Sequence, residues 1–194
     1  MTCGTLVEMD ESRFSDLFAD LSHELDEHER AQQRAEVSDR TRREHAAVAF
    51  LDRLRGAVGQ VVELRITQET LTGELVEVGA DWIELRARLR TCWLPVSEIV
   101  AIGGMSTPTV APGSVGAVEQ RWTFAFALRR LVRDRAVLTV RARGGQSYTG
   151  TLDRVGSDFV ELAEHAADVS RRARAVRAVR AIPMWAIELA SVSR

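Results

Sequence analysis

Two residue types are missing from this chain of 194 residues: it has no Lys and no Asn, so all 26 of its basic side chains are Arg. Without Lys there is no Schiff-base amine and no phosphate-loop lysine. Without Asn, one of the amides that read base edges is gone. Arg for every base, beside abundant Ala and Val, is the composition a GC-rich bacterial genome gives, so arginine alone does not signal phosphate chemistry. Cysteine is nearly absent too. Cys3 and Cys92 stand far apart with no His near Cys92, so neither a structural disulfide nor a zinc site is expected. No apolar run approaches the roughly 18 residues of a membrane span. The N-terminal stretch MTCGTLVEMDESRF is acidic and lacks a secretory layout, so a cytoplasmic protein is the expectation.

What is present is ordinary in amount and uneven in place. Hydrophobic residues make up 45% and charged residues 28%, as in a soluble folded chain. Through His45 the chain carries 6 Arg against 12 Asp and Glu; the remainder carries 20 Arg against 16. An acidic arm thus precedes a mildly basic body, and the two attract each other or keep the body off non-specific polyanions.

Residues 1–45 read as that arm. Phe14, Leu17, Phe18, Leu21 and Leu25 recur at helical spacing and form one apolar stripe, suited to a partner helix or groove. From Asp26 to His45 apolar side chains nearly vanish while Glu, Arg, Gln and Ala dominate, so that stretch reads as a solvated helix, a weak coiled coil or a spacer. A short helix through Phe50, Leu51 and Leu54 ends at Gly56, and the period then switches from helix to strand. Strands are expected at Val62–Ile66, Leu71–Val78, Trp82–Arg88, Cys92–Leu94 and Ile99–Ile102, with a 3₁₀ turn after Pro95. Residues 103–120, rich in Gly, Pro, Ser and Thr, read as a linker.

The second part repeats the first. TLTGELVEVGADWIEL (Thr70–Leu85) lies over SYTGTLDRVGSDFVEL (Ser147–Leu162) without a gap, identical at eight of sixteen positions. Val62-x-Leu64-x-Ile66 matches Leu138-x-Val140-x-Ala142, and Leu94-Pro95-x-x-x-Ile99 matches Ile182-Pro183-x-x-x-Ile187. Gly73 and Gly150 fall mid-strand, where glycine marks a bend or a close backbone approach. Gly79 and Gly156 fall in turns and are expected at positive φ.

This pattern resembles the Sm-like family of small barrels, in which a helix caps five bent antiparallel strands and a second-strand glycine permits the bend. Gly73 and Gly150 match that glycine. The resemblance implies a mainly β fold with helices: an N-terminal helical arm, an Sm-like five-stranded barrel at 46–102, and a second at 121–194 with an Arg-rich insertion at 163–178. Exposed edges that such barrels bury by self-association are implied as well. The family's RNA-contacting residues do not carry over. Val78-Gly79-Ala80-Asp81-Trp82 and Val155-Gly156-Ser157-Asp158-Phe159 stand in the first RNA motif without an Asn, and Trp93-Leu94-Pro95 and Ala181-Ile182-Pro183 stand in the second.

Candidate chemistry is thin. His23 and His28 are five apart, off the single helix face that a zinc protease needs, and read as solvated. Asp81 and Asp158 read as turn formers bonding backbone amides, not as paired catalytic carboxylates. Strict alternation turns Trp82 and Phe159 outward, available to a partner, although packing against the preceding helix is the reading that outweighs it. Arg171, Arg172, Arg174, Arg177 and Arg180, with Arg141 and Arg143 on a strand face, form a candidate polyanion site. Solvated charge, or contact with the acidic arm, is the competing reading. No metal, cofactor, small-molecule substrate, membrane association or enzyme chemistry is expected. The leading expectation is an interaction module that binds a protein partner or itself; the rival is an RNA- or DNA-binding regulator using the Arg-rich loop.

Overall fold

The computed structural model describes residues 32–34, 36–37, 39–40, 42, 46–106, 122–167 and 176–193. The chain divides into two units, Met1–Val48 and Ala49–Arg194. In the first, the described residues from 32 to 42 are helical and exposed, with Arg42 paired to Asp39 at 2.8 Å. The stripe Phe14, Leu17, Phe18, Leu21 and Leu25 lies outside the described residues.

The second unit is mainly β. It opens with helix α1 (Phe50–Gly56), followed by strands β1 (Val61–Arg65), β2 (Thr70–Val78), β3 (Trp82–Ala87), β4 (Arg90–Pro95) and β5 (Ala101–Gly103). Helix α2 (Phe124–Arg133) then leads β6 (Val137–Ala142), β7 (Ser147–Val155), β8 (Phe159–Glu164), β9 (Ala178–Pro183) and β10 (Ile187–Ser193). Each Pro-led single turn of 3₁₀ helix, Val96–Glu98 and Met184–Ala186, sits where Pro fixes the entering φ. β1 shows the expected alternation, with Val62 and Leu64 buried between exposed neighbours.

The ten strands among the described residues form one antiparallel sheet in the order β5-β1-β2-β3-β4-β10-β6-β7-β8-β9. Each half therefore has the same internal order, with its last strand beside its first. The β2–β3 and β7–β8 ladders also slip at equivalent places, between Leu75 and Glu77 and between Leu152 and Arg154. The expectation that each half closes into a barrel is corrected here. Among the described residues no ladder closes either half; β4 of the first pairs with β10 of the second through Trp93–Arg90 and Ala190–Ser193. An open edge of unpaired amides and carbonyls is satisfied by the neighbouring half instead of by closure.

Two of the glycine expectations fare differently. A Cβ at Gly73 would sit 2.5 Å from the Arg86 carbonyl oxygen, and one at Gly150 would strike that of Ala163, so close strand approach accounts for both. Gly79 and Gly156, expected at positive φ, are not among the residues that adopt it. Their need is room: a side chain would run into the Trp82 indole and the Phe159 ring respectively.

The core is two clusters that trade members across the seam. Leu54, Val62, Leu64, Leu75, Ile83, Leu85 and Leu94 of the first half take in Leu189 from β10. Phe124, Leu128, Leu138, Val140, Leu152, Val160 and Leu162 of the second half take in Trp82 from β3.

Candidate interaction surface

Where the halves meet, side chains complete what the backbone begins. Trp82 is fully buried. It does face out of the first half, as alternation requires, but it is covered by α2, the following helix and not the preceding one. Its indole N–H donates to the Trp122 carbonyl at 2.7 Å, and the Ala80 amide donates to the same oxygen at 2.9 Å. The Asp81 carboxylate accepts from the Phe124 amide at 2.7 Å. Phe124 is the first residue of α2, whose N-cap Thr123 makes no side-chain cap bond. Asp81 thus caps a helix of the other half, satisfying one of the orphan amides at its start.

The equivalent turn of the second half is built alike. Gly79 donates to the Trp82 carbonyl and Val96 to that of Asp81, at 2.9 and 2.8 Å; Gly156 donates to Phe159 and Met184 to Asp158, at 2.8 and 2.7 Å. Among the described residues no helix start reaches it. Ser157 and Asp158 are exposed and Phe159 is half-buried. The Asp158 carboxylate accepts from the neighbouring Ser157 hydroxyl at 3.3 Å, and the Arg154 guanidinium lies 6.0 Å from the Phe159 ring centre.

A chain of ion pairs reinforces the seam. Arg90 of β4 pairs with Glu69 at 2.6 Å, Glu69 with Arg141 of β6 at 2.6 Å, and Arg141 with Glu188 of β10 at 3.0 Å. Arg143 engages Glu98 beside it. Glu188 is only 2% exposed, so its charge requires Arg141. Equal numbers of opposite charges in a half-buried line favour one register of the two halves over its slips.

The arginines singled out in the sequence therefore separate. Arg141 and Arg143 belong to the seam and are spent on Glu69, Glu188 and Glu98. Arg180 lies on β9, with two strands between it and β6. It pairs with Glu164 at 3.0 Å and sets its guanidinium 5.6 Å from the centre of the Tyr148 ring. Arg177 is exposed, and its amide donates to the Glu164 carbonyl at 2.8 Å. Arg171, Arg172 and Arg174 lie outside the described residues.

The outer edge of the second half is β9. It pairs with β8 on one side and has no neighbour on the other among the described residues. Val179 on β9 is 59% exposed, and Trp185, just beyond its end, 70%. Sequence reasoning marked neither. The signal for Trp185 is its frame: it is a Trp in the Pro-led turn where the first half has Ser97. No helix among the described residues is long and apolar enough to cross a membrane, and no group of three or more His, Cys, Asp or Glu there could hold a metal.

No protein-family model matches the sequence, and comparison with curated proteins finds no relative.

Proposed function

We propose that this chain is a cytoplasmic, non-enzymatic interaction module: two diverged copies of an Sm-like unit behind a helical arm, joined edge to edge and associating further with a second chain. One observation carries the reading. The docking face of the first half, its β4 edge and the Gly79–Trp82 turn, is filled by the second half, whereas the same face of the second half, β9 and Gly156–Phe159, has no occupant among the described residues. A six-residue open edge flanked by exposed Val179 and Trp185 is a surface of the kind that pairs with another strand. The test is the native mass of the full chain by light scattering over a range of concentrations, with and without nuclease. A nuclease-resistant mass above that of the 21.5 kDa chain supports the reading, and a monomer throughout sinks it.

A second reading rests on Arg180, whose guanidinium over the Tyr148 ring gives the Arg-rich region an aromatic partner. Such a pair suits a nucleic-acid strand. Binding would then be salt-sensitive and would weaken when Arg171, Arg174 and Arg177 become Glu. Preparations free of copurifying nucleic acid that give no gel shift remove it.

A further inference from the structure

The two outer edges of the sheet are not alike, and the difference decides how a second copy can attach. Head-to-tail growth would set β9 of one copy against β5 of the next, repeating the junction of β4 with β10. That junction uses Ala190–Ser193 of β10. The equivalent positions in the first half are Ile102, Gly103, Gly104 and Met105, and β5 ends at Gly103. Gly104 then turns away at φ 82°. Two hydrogen bonds between Gln60 and Ser106, at 2.7 and 2.9 Å, hold the chain in that exit. β5 thus keeps only the first two of the four positions that would have to pair.

The charges agree with the backbone. The seam's Arg90, Glu69, Arg141 and Glu188 correspond at a head-to-tail junction to Ala178, Gln146, Arg65 and Val100. Glu98 and Arg143 correspond to Ala186 and Thr67. Such a junction would set the Arg65 cation against no acid and reproduce none of the seam's ion pairs.

Among the described residues nothing covers β9. Edge strands are ordinarily kept from pairing by charge or by Pro within the strand. Here Pro183 stands only at the last position. The single charge, Arg180, is held by Glu164 and Tyr148 of its own half. Ala181 and Val179 complete an exposed and largely apolar strand.

We propose that β9 pairs with β9 of a second copy of this chain, antiparallel about a two-fold axis. The inference rests on the self-association reading above and adds its symmetry. One adhesive edge per chain closes at two copies, because an isologous contact consumes both partners' edges. The seam of β4 and β10 is the precedent within the chain: the strand equivalent to β9 is already one that accepts an antiparallel neighbour.

The test uses the full chain carrying Cys3→Ser, which leaves buried Cys92 as the remaining native thiol. Single cysteines are placed at Val179, Arg180 and Ala181, and further ones at Ile102 and Met105, and each variant is mildly oxidised. A two-fold pairing crosslinks one β9 position to itself, most strongly at the residue on the axis, in a dimer whose mass does not grow with concentration. Val179→Glu, at an exposed position, should weaken that dimer at least tenfold while leaving the thermal unfolding of the dilute monomer unchanged. Association without any self-crosslink on β9, or crosslinks joining β9 to Ile102 or Met105 in mixed samples, overturns the two-fold arrangement and leaves self-association standing. A monomer at every concentration overturns both.

Discussion

Cys92 and Arg180 occupy the same place in the two halves, each the third residue of its fourth strand, opposite Leu85 and Leu162. Cys92 is fully buried in the first core, where burial pushes its thiol up to about 11. Arg180 is half exposed and tied to Glu164. The first half is covered along its outer edge by the second, so an inward position there must be apolar. The second half has no such cover among the described residues, and the same position can carry a charge that reaches water. Occupancy of the edge, more than descent of the strand, sets what the core tolerates.

Exchanging the two residues gives the largest contrast. Cys92→Arg places a charge in a closed core where the nearby acid, Glu69, is already held by Arg90 and Arg141, and should cost about 4 kcal/mol or more, read by urea unfolding. Arg180→Cys gives up a half-exposed ion pair and should stay within about 1 kcal/mol. Equal costs would mean that the halves are closed to the same degree, and the comparison would fail.

The seam comes next in size. Glu188→Ala leaves Arg141 with one acid where it had two, in a place shielded from water, and should cost about 3 kcal/mol. Removing both partners, Arg141→Met with Glu188→Met, should cost less than the sum of the single changes, because neither charge is then stranded. Additive costs would show that the pair does not act as a unit. The first half offers no counterpart: Val100 and Arg65 stand in those places, and Val100→Ala should be nearly silent.

Much of this contrast was readable from sequence, and the limit falls at the edges. Period-two patterning located the strands, and the shared Gly73 and Gly150 marked the close approaches, because burial within one strand depends on residues two apart. Which strand lies beside β4 depends on amides and carbonyls that every residue has, so no side-chain pattern announces β10 as its neighbour. Trp82 shows the same limit: alternation turned it outward correctly, but its cover, α2, begins 42 residues later in the chain. Arg141 and Glu69 are 72 positions apart and look like solvated charges until the sheet brings them together. The signal that existed was a difference between the halves, Glu69 against Gln146 and Arg141 beside the acid at Glu188, where the first half has Val100. Of the candidate polyanion residues, Arg141 and Arg143 looked available because their acids come from the other half or the far end of the chain.

Trp82 and Phe159 give a smaller effect. Trp82→Phe makes the first half resemble the second: the ring remains and the N–H to the Trp122 carbonyl is lost, at a cost of about 1 kcal/mol. Phe159→Trp should give no matching gain in the chain by itself, since no carbonyl waits there among the described residues. A gain of that size would reveal a partner for the turn.

The smallest effect has the opposite sign and sits two residues further along the same strands. Glu84 and Glu161 are equivalent, and Glu161 meets Arg154 at 2.7 Å on an exposed face. Glu84 instead accepts from the Trp93 indole at 3.0 Å. Burial there raises its carboxyl above the usual 4.5; the Trp93 bond opposes the rise, the Glu77 carboxylate adds to it, and Arg130 and Arg86 pull it down. A carboxyl that holds its proton more tightly folded than unfolded makes the fold gain stability as pH falls through the raised value towards 4.5, and lose it on the way up. Glu84→Gln keeps an acceptor for Trp93 and removes the charge. It should therefore stabilise the chain at neutral pH by roughly 0.5 kcal/mol, with the advantage shrinking on acidification and gone below about pH 4. Glu161→Gln should lean the other way, losing a surface ion pair. Thermal unfolding of both variants between pH 4 and 8 measures this, and parallel curves for the two would place Glu84 in water as open as that around Glu161.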